Sequence, residues 1–209
     1  KNMGLTYSVI TVVNRDDMDD GGALHYKKCI DKVHEICPKV GIEFLCSDLS
    51  GNVNALEFLL DNSPLTVFAH NVETVRRLTP RVRDPRATFD QSLLILKKAK
   101  DFRPDIITKT SIMLGLGETE EDLLSAFREL RDAKVDLLTL GQYLSPGPRY
   151  HPVVSFPSPE TFDSLAQIAK EMGFKAIASG PMVRSSYRAE SLVAAAKGET
   201  FDIELKVVA

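Results

Sequence analysis

Apolar runs and stretches of helical periodicity alternate along most of this chain. Six short runs rich in Val, Ile, Leu and Phe predict buried strands at 7–13, 42–46, 65–70, 106–114, 137–144 and 174–179. Between them, apolar residues recur at helical spacing and predict helices at 21–36, 53–62, 86–101, 119–133 and 158–172. Strands that alternate with amphipathic helices indicate βα units, and nearly continuous apolar runs are typical of parallel strands covered on both faces.

Local signals support these boundaries and a single domain. Thr119 precedes a run of acidic residues and Ser158 precedes Pro159 and Glu160, so both are predicted helix N-caps. No repeat or linker divides residues 1–209, which predicts one domain. Because no glycine-rich dinucleotide fingerprint follows the first strand, we expect an α/β fold with parallel strands, a closed or partial (β/α) barrel of the TIM type, rather than a doubly wound sheet.

Composition narrows the class of partner. The 209 residues carry a net charge of −3, which argues against a general nucleic-acid surface, and no apolar run is long enough to span a membrane. Cys29, Cys37 and Cys46 match neither zinc nor disulfide spacing, so we expect reduced thiols of an intracellular protein. The chain opens on "KNMGLTY" without an initial methionine, which suggests a sequence cut from a longer one.

Polar residues follow each predicted strand. In a parallel barrel the carboxyl ends of the strands carry the chemistry, so these residues predict a lined pocket. In chain order they are Asn14 and Arg15; His70, Asn71 and Glu73; Lys109 on the fourth strand with the "GLGE" turn after it; Gln142; and Arg184 to Tyr187.

Several of these groups suggest a particular chemistry. Glu73 beside Asn71 suits the two hydroxyls of a ribose, since a carboxylate accepts both protons, whereas His70 fits either a polyol site or an ordinary core position. Gly115 and Gly117 would let backbone approach a ligand and offer it free N–H groups, or serve packing alone. Lys109 on a barrel strand also suggests an aldolase that forms a Schiff base with its substrate. Such a lysine needs an apolar pocket that lowers its pKa, and the sequence neighbours of Lys109 are polar.

The most unusual stretch is "SGPMVRSSYRAE" at 179–190. On local grounds Ser185 or Ser186 is a candidate N-cap for a helix through "SLVAAAKG". A cap does not explain why arginine, two serines and tyrosine follow one another directly.

Taken in order, five segments resemble the lipoyl synthase family of radical S-adenosylmethionine (SAM) enzymes. They are "VITVVNRDDMDDGGALHY", "VFAHNVETV", "TKTSIMLGLGETEED", "GQYLSPGPRY" and "GFKAIASGPMVRSSYRAE". The resemblance covers nearly the whole chain, and the RSSY motif is its most specific part. It implies a radical SAM fold, which is a partial barrel.

The resemblance assigns a role to the RSSY motif. In the family, one of its serines is an oxygen ligand of an auxiliary 4Fe–4S cluster, which transfers first to Ser186 and second to Ser185. A serine oxygen is readily protonated and released, which would free one iron as sulfur leaves. Arg184 and Tyr187 would orient this ligand and offset the charge of the cluster.

The resemblance also implies a SAM site. Asn71 and Glu73 would contact its ribose, as matching residues do in biotin synthases, and the segment with Gly115, Gly117 and Glu118 would lie beside the methionyl and adenosyl groups. The other expected cofactor-site residues are Asn14, Arg15, Lys109 and Gln142. Biotin synthases have a cluster cysteine at the position of Lys109, which favours lipoyl synthase.

The sequence departs from the family in three places. The family usually has Asp where this chain has Asn14, and His where it has Tyr150, although His151 follows. The family's two cysteine motifs, for two 4Fe–4S clusters, lie upstream of "MGLTY", and the three cysteines here fall outside the matching segments. We therefore expect the C-terminal two-thirds of a lipoyl synthase, inactive alone.

The implied activity is sulfur insertion. SAM is cleaved reductively at one cluster, the resulting radical abstracts hydrogen at C6 and C8 of a protein-bound octanoyl chain, and the auxiliary cluster supplies sulfur. The implied partners are an octanoylated lipoyl-carrier protein (H protein or a 2-oxoacid dehydrogenase E2 lipoyl domain) and an electron donor, with no nucleic acid or membrane.

The expected location is the mitochondrial matrix if the chain is eukaryotic, and otherwise the cytoplasm. Alternatives are a biotin-synthase relative, an aldolase using Lys109, and a non-catalytic homologue.

Overall fold

A computed structural model describes residues 3–199 and the backbone of 207–208. Its strands are β1 (Tyr7–Thr11), β2 (Gly41–Leu45), β3 (Val67–Ala69), β4 (Ile107–Leu114), β5 (Leu137–Gln142), β6 (Ala176–Ser179) and β7 (Val207–Val208). Its α-helices are α1 (Ala23–Ile36), α2 (Val53–Leu60), α3 (Thr79–Val82), α4 (Phe89–Phe102), α5 (Glu120–Asp132), α6 (Pro159–Glu171) and α7 (Ala189–Ala196), with a 3₁₀ turn at Leu49–Gly51.

The strands form one sheet in chain order. β1 to β6 are all parallel, and each pairs with its neighbours in sequence. β1 and β7 lie at opposite edges, so the sheet formed by the described residues is open. The α/β fold and the partial parallel barrel are therefore confirmed. The short β7 pairs antiparallel with β6 and was not among the predicted strands.

The two faces of the sheet are packed differently. The outer face carries most of the apolar side chains that meet the helices, such as Phe44, Ile112 and Leu140. The inner face has a smaller cluster in which strand residues such as Ala178 pack with Leu192 of α7. Side chains alternate between faces along a strand, so every second residue of β4 points to the inside.

Most predicted helix ends agree with the structure. The Thr119 hydroxyl caps α5 in a capping box with Asp122, and Ser158 caps α6. The cap suggested for α7 is wrong: the N-cap residue of this helix is Arg188, at φ 43°, and its side chain makes no capping hydrogen bond. Neither serine of the RSSY motif is needed to start the helix.

Other boundaries shifted. Only Val67–Ala69 of the predicted strand 65–70 forms a strand, and the predicted helix 86–101 begins at Phe89 because Thr88 caps it. The short helix α3 was not predicted and starts with Pro80 in its first turn. None of the described helices is long and apolar enough to cross a bilayer.

Candidate functional site

A cavity of about 280 Å³ opens at the carboxyl ends of β4 and β5, between the segments that follow β3 and β6. The sequence predicted five of its lining residues: Asn71, Glu73, Gln142, Arg184 and Ser185. It missed the others, which are Ser111, Met113, Gly141, Leu144 and Val183. Ser111 and Met113 were detectable, because they follow Lys109 at the two-residue spacing of an inward-facing strand.

Glu73 and Asn71 form one wall of this cavity. The Asn71 Nδ2 donates to Glu73 Oε1 at 3.2 Å, and Glu73 Oε2 has no hydrogen-bond partner among the described residues. The backbone of Glu73 has φ 65°, a rare conformation for this residue, and is held by bonds to the backbone of Ser111 and Met113. Burial raises the pKa of Glu73, and the Asn71 bond partly opposes this. The pair thus presents a fixed acceptor to a ligand.

The glycine turn after β4 is closed by its own glutamate. Glu118 Oε1 accepts the Gly115 N–H at 2.7 Å, and Oε2 accepts the Leu116 N–H at 2.9 Å. The expectation of an N–H group free for a ligand is therefore wrong for Gly115. Gly115 and Gly117 both have positive φ, near 97° and 99°. A Cβ on Gly115 would lie 2.4 Å from the Ser155 carbonyl oxygen, so this glycine serves close packing.

Gln142 connects the glycine turn to the cavity. Its Nε2 donates to the carbonyls of Tyr143 (2.9 Å) and Ser155 (3.1 Å), which fixes the side chain. Since the amide hydrogens are used by backbone, its carbonyl oxygen is the group left for a ligand. Gly115 packs directly against this amide.

The RSSY segment forms a turn at the mouth of the cavity. Ser185 is half-buried and lines the cavity, whereas Ser186 and Tyr187 are exposed. Neither serine hydroxyl has a hydrogen-bond partner among the described residues. Arg184 Nη1 donates to the carbonyls of Val183 (2.8 Å) and Gln142 (3.4 Å), which ties the turn to the end of β5.

Three expected site residues lie elsewhere. Asn14 lines a separate cavity, and Arg15 pairs with the exposed carboxylate of Asp17 at 2.6 Å. Lys109 is inside the barrel, where Nζ donates to Glu43 Oε1 at 2.7 Å and only 2% of each side chain is accessible. A lysine held in this way is not available to form a Schiff base with a substrate in the cavity.

His70 points to the outer face and belongs to the core. Its Nδ1 lies 3.0 Å from the Cys46 carbonyl oxygen and its Nε2 lies 2.9 Å from Ser92 Oγ, which also accepts a bond from Arg83. The structure favours the core interpretation over a polyol contact. Burial is the main cause that lowers the pKa of His70 to about 4.

The low pKa of His70 predicts acid-dependent stability. The unfolded chain protonates this histidine near pH 6.5 and the folded protein only near pH 4, so the unfolded state binds more protons between these values. The contribution of this residue to the free energy of unfolding should fall by roughly 3 kcal/mol as the pH drops across that window.

Urea unfolding at pH 7 and pH 4 measures this loss of stability. His70→Gln should reduce the difference, and His34→Gln, at an exposed position in α1, should not. Equal pH dependence in all three proteins would contradict the prediction.

The sequence matches the Radical SAM superfamily model over residues 1–130.
The chain belongs to the radical SAM superfamily.
Among curated proteins it is 52% identical over 188 residues to a lipoyl synthase of Marinobacter nauticus, covering 90% of this chain and 54% of that protein. It is also 52% identical to a lipoyl synthase of Thermus thermophilus, and the match covers 90% of this chain and 58% of that protein. It is 53% identical to an apicoplast lipoyl synthase of Toxoplasma gondii, with 88% of this chain and 34% of that protein covered. The chain thus spans slightly more than half the length of the two bacterial relatives and about a third of the apicoplast protein.

A solved structure resembles this radical SAM chain in fold alone. It is that of 2,3-dimethylmalate lyase, a PEP mutase/isocitrate lyase superfamily member, with a TM-score of 0.53 and 14% identity. The match covers 94% of this chain and 69% of that one. At this identity the likeness carries no information about the reaction.

The radical SAM family implies SAM and iron–sulfur clusters, and the two fit the described residues differently. The cavity offers amide, carboxylate and hydroxyl groups, which suit a polar cofactor such as SAM. A 4Fe–4S cluster needs several thiolates, but Cys29 is exposed, Cys46 is buried, and residues 3–199 contain no group of three His, Cys, Asp or Glu side chains placed to hold a metal. Burial also raises the pKa of Cys46, which keeps its thiol protonated. The described residues therefore do not fit a cysteine-held cluster.

Proposed function

We propose that this chain is the part of a lipoyl synthase that forms the SAM pocket and carries the RSSY turn. The enzyme would insert two sulfur atoms, at C6 and C8, into an octanoyl chain attached to a lipoyl-carrier protein. The observation that carries the proposal is the 52% identity to lipoyl synthases across 90% of the chain. Proteins this similar over most of a chain are expected to bind the same ligand.

On this proposal Glu73 and Asn71 bind the ribose hydroxyls of SAM. The free Oε2 of Glu73 supports the assignment, because a diol needs acceptors that the protein has not already used. Gln142 supplies a carbonyl oxygen, and Gly115, Gly117 and Glu118 shape the adjoining wall. When bound with its reducing cluster, SAM supplies a radical that can abstract hydrogen from an unactivated carbon.

The RSSY turn would supply one oxygen ligand to a second 4Fe–4S cluster. Ser186 is the first candidate from the family resemblance, and Ser185 is the second. Ser185 lines the cavity and Ser186 follows it in the same turn; neither hydroxyl has a hydrogen-bond partner among the described residues, so neither must give up a bond in order to bind iron. Arg184 and Tyr187 would orient the turn. The family's cysteine motifs would hold both clusters, so residues 1–209 expressed alone should be inactive.

The remaining proposed partners follow from the same assignment. They are an octanoylated lipoyl-carrier protein, either H protein or an E2 lipoyl domain, and an electron donor. We propose the mitochondrial matrix as the location in a eukaryote and the cytoplasm in a bacterium. The aldolase alternative is not favoured, because Lys109 is paired with Glu43 inside the barrel.

The test is complementation of a bacterial strain that lacks lipoyl synthase. The full-length protein should restore growth without added lipoate and convert octanoylated carrier to lipoylated carrier, as measured by mass spectrometry. Changing the ligand serine to alanine, as Ser186→Ala or Ser185→Ala, should lower the yield at least tenfold. Ser164→Ala, at an exposed position of α6, is the matched control and should keep wild-type yield.

Three results would contradict the proposal. A wild-type protein that leaves octanoyl groups unchanged would favour a non-catalytic homologue. Sulfur insertion into dethiobiotin instead would favour the biotin-synthase alternative. Full activity of both single serine variants and of the double variant would remove the RSSY turn from the mechanism.

A further inference from the structure

The loops after β5 and β6 form a surface beside the cavity, which we call the mouth rim (residues 143–157 and 180–188). The mouth rim contains no Asp or Glu, although the chain has 29 acidic residues and a net charge of −3. It contains three exposed arginines, Arg149, Arg184 and Arg188. Within residues 3–199 none of these three pairs with a carboxylate, whereas six arginines elsewhere do. The mouth rim is therefore a positive surface on a negative protein.

The same surface is unusually apolar. Fifteen large apolar side chains are exposed on residues 3–199, and six of them belong to the mouth rim. Phe156 is 72% exposed and Met182 is 80% exposed. Exposed clusters of this kind mark interaction surfaces, and Arg, Tyr, Phe and Met are the side chains enriched in such interfaces. The six residues are Leu144, Tyr150, Val154, Phe156, Met182 and Tyr187.

The mouth rim is continuous with the cavity. Leu144 is 58% exposed and also lines the cavity, with Ser185 and Arg184 beside it. Val154 packs over Gly117 of the glycine turn. A ligand that approaches the mouth rim therefore meets Leu144 and Val183 on its way to Glu73, and no acidic side chain of the rim.

We propose that the mouth rim is the docking surface for a carrier domain with an acidic face, which delivers its acyl chain into the cavity. This inference rests on the proposed function, since it assigns a surface to the protein-bound octanoyl substrate. The arginines would steer the acidic domain and set its orientation, which is how charge complementarity acts in encounters between proteins. The apolar side chains would cover the octanoyl chain as it leaves water.

The test uses one double variant of the full-length protein and a chemically matched control. Arg149→Glu with Phe156→Ser changes the mouth rim outside the cavity lining and the RSSY turn. Lys98→Glu with Phe102→Ser makes the same change of charge and the same loss of a phenyl ring at exposed positions on α4. The probes are an octanoylated lipoyl-carrier domain, titrated calorimetrically, and a short peptide bearing octanoyl-lysine, which needs no docking surface.

The expected results separate docking from chemistry. The rim variant should bind the carrier domain at least tenfold more weakly, because arginine and aromatic side chains dominate such interfaces. Its affinity should also depend less on salt concentration, since one charge that salt would screen has been reversed. Its turnover of the peptide should equal that of the wild type. The α4 variant should match the wild type with both substrates.

Other outcomes would overturn the proposal. Unchanged carrier affinity in the rim variant would do so while leaving the proposed function intact, provided that the wild type inserts sulfur. Equal loss of turnover on the carrier and on the peptide would show that the rim change damages the site itself. If the change instead abolishes self-association, or binding to phosphatidylglycerol vesicles, and leaves carrier affinity unaltered, a second copy or a lipid surface is the occupant. A wild type inactive on both substrates would contradict the proposed function, and the docking role with it.

Discussion

Replacing Glu43 with glutamine is expected to lower the free energy of unfolding by roughly 3–5 kcal/mol. The Lys109 ammonium lies in the barrel interior, and Glu43 Oε1, at 2.7 Å, is its only charged partner among the described residues. Tyr7 also donates to this carboxylate, at 3.1 Å. Glutamine keeps the shape of the side chain but removes its charge, so the ammonium would remain buried without a counter-charge. That cost is much larger than the value of an exposed ion pair.

The pH dependence of this variant has a definite sign. Burial lowers the pKa of Lys109, and Glu43 offsets part of that effect, so the variant should lower this pKa further. The unfolded chain protonates a lysine near pH 10.4, about as a free side chain does. Between the two pKa values the unfolded state binds more protons. The Glu43→Gln protein should therefore regain stability relative to the wild type as the pH rises from 7 towards 10.

Urea unfolding at both pH values measures these effects. Asp101→Asn removes the partner of Lys134 in an exposed pair at 3.0 Å, and this control should cost less than about 1 kcal/mol. Glu43→Leu combined with Lys109→Met removes both charges and should be much more stable than Glu43→Gln. A Glu43→Gln protein as stable as the Asp101→Asn control would show that the lysine is not confined as the structure describes.

Replacing Gly141 with alanine is expected to displace the RSSY turn. A Cβ at this position of β5 would lie 2.2 Å from the Val183 carbonyl oxygen, and no side-chain rotation relieves a contact with backbone. Either the strand or the turn must move by about 1 Å, a displacement that costs roughly 100-fold in turnover when it affects a reacting group. Overpacking should also lower the free energy of unfolding by about 1–3 kcal/mol. Sulfur-insertion rates and urea unfolding give the two readouts.

Gly147→Ala is the matched control for this prediction. Gly147 lies in the loop after β5, and a Cβ there would meet only Tyr150 Cδ2, at an ordinary 3.9 Å. This variant should keep wild-type turnover and stability. Gly141→Ala with both properties unchanged would mean that the RSSY turn does not depend on its contact with β5.

Periodicity predicted the fold well because it reports local burial. The strands at 7–13 and 106–114 and the helices at 119–133 and 158–172 all formed, with ends shifted by a few residues at most. Strand residues buried on two faces are mostly apolar, so the pattern is visible without knowledge of the partner strand. The missed helix α3 has a single turn, too short for a periodic signal.

The site was predicted less completely because its contacts are long-range. The glycine turn was expected to offer free N–H groups, but the Glu118 carboxylate folds back on the N–H groups of Gly115 and Leu116. Lys109 was judged by its neighbours in sequence, yet its partner Glu43 is 66 residues away. Gly141 gave one usable signal, since a glycine inside a strand often marks close approach of another backbone.

The sequence by itself determined the parallel α/β architecture, the order of its elements and the set of polar residues at the carboxyl ends of the strands. Those properties depend on the spacing of apolar residues, which is local to each element. Only the tertiary structure decided that Glu73, Gln142 and Ser185 share one cavity while Asn14 and Lys109 do not. Which side chains meet depends on strand register and on the face that each residue occupies, and these are fixed only when distant segments pack together.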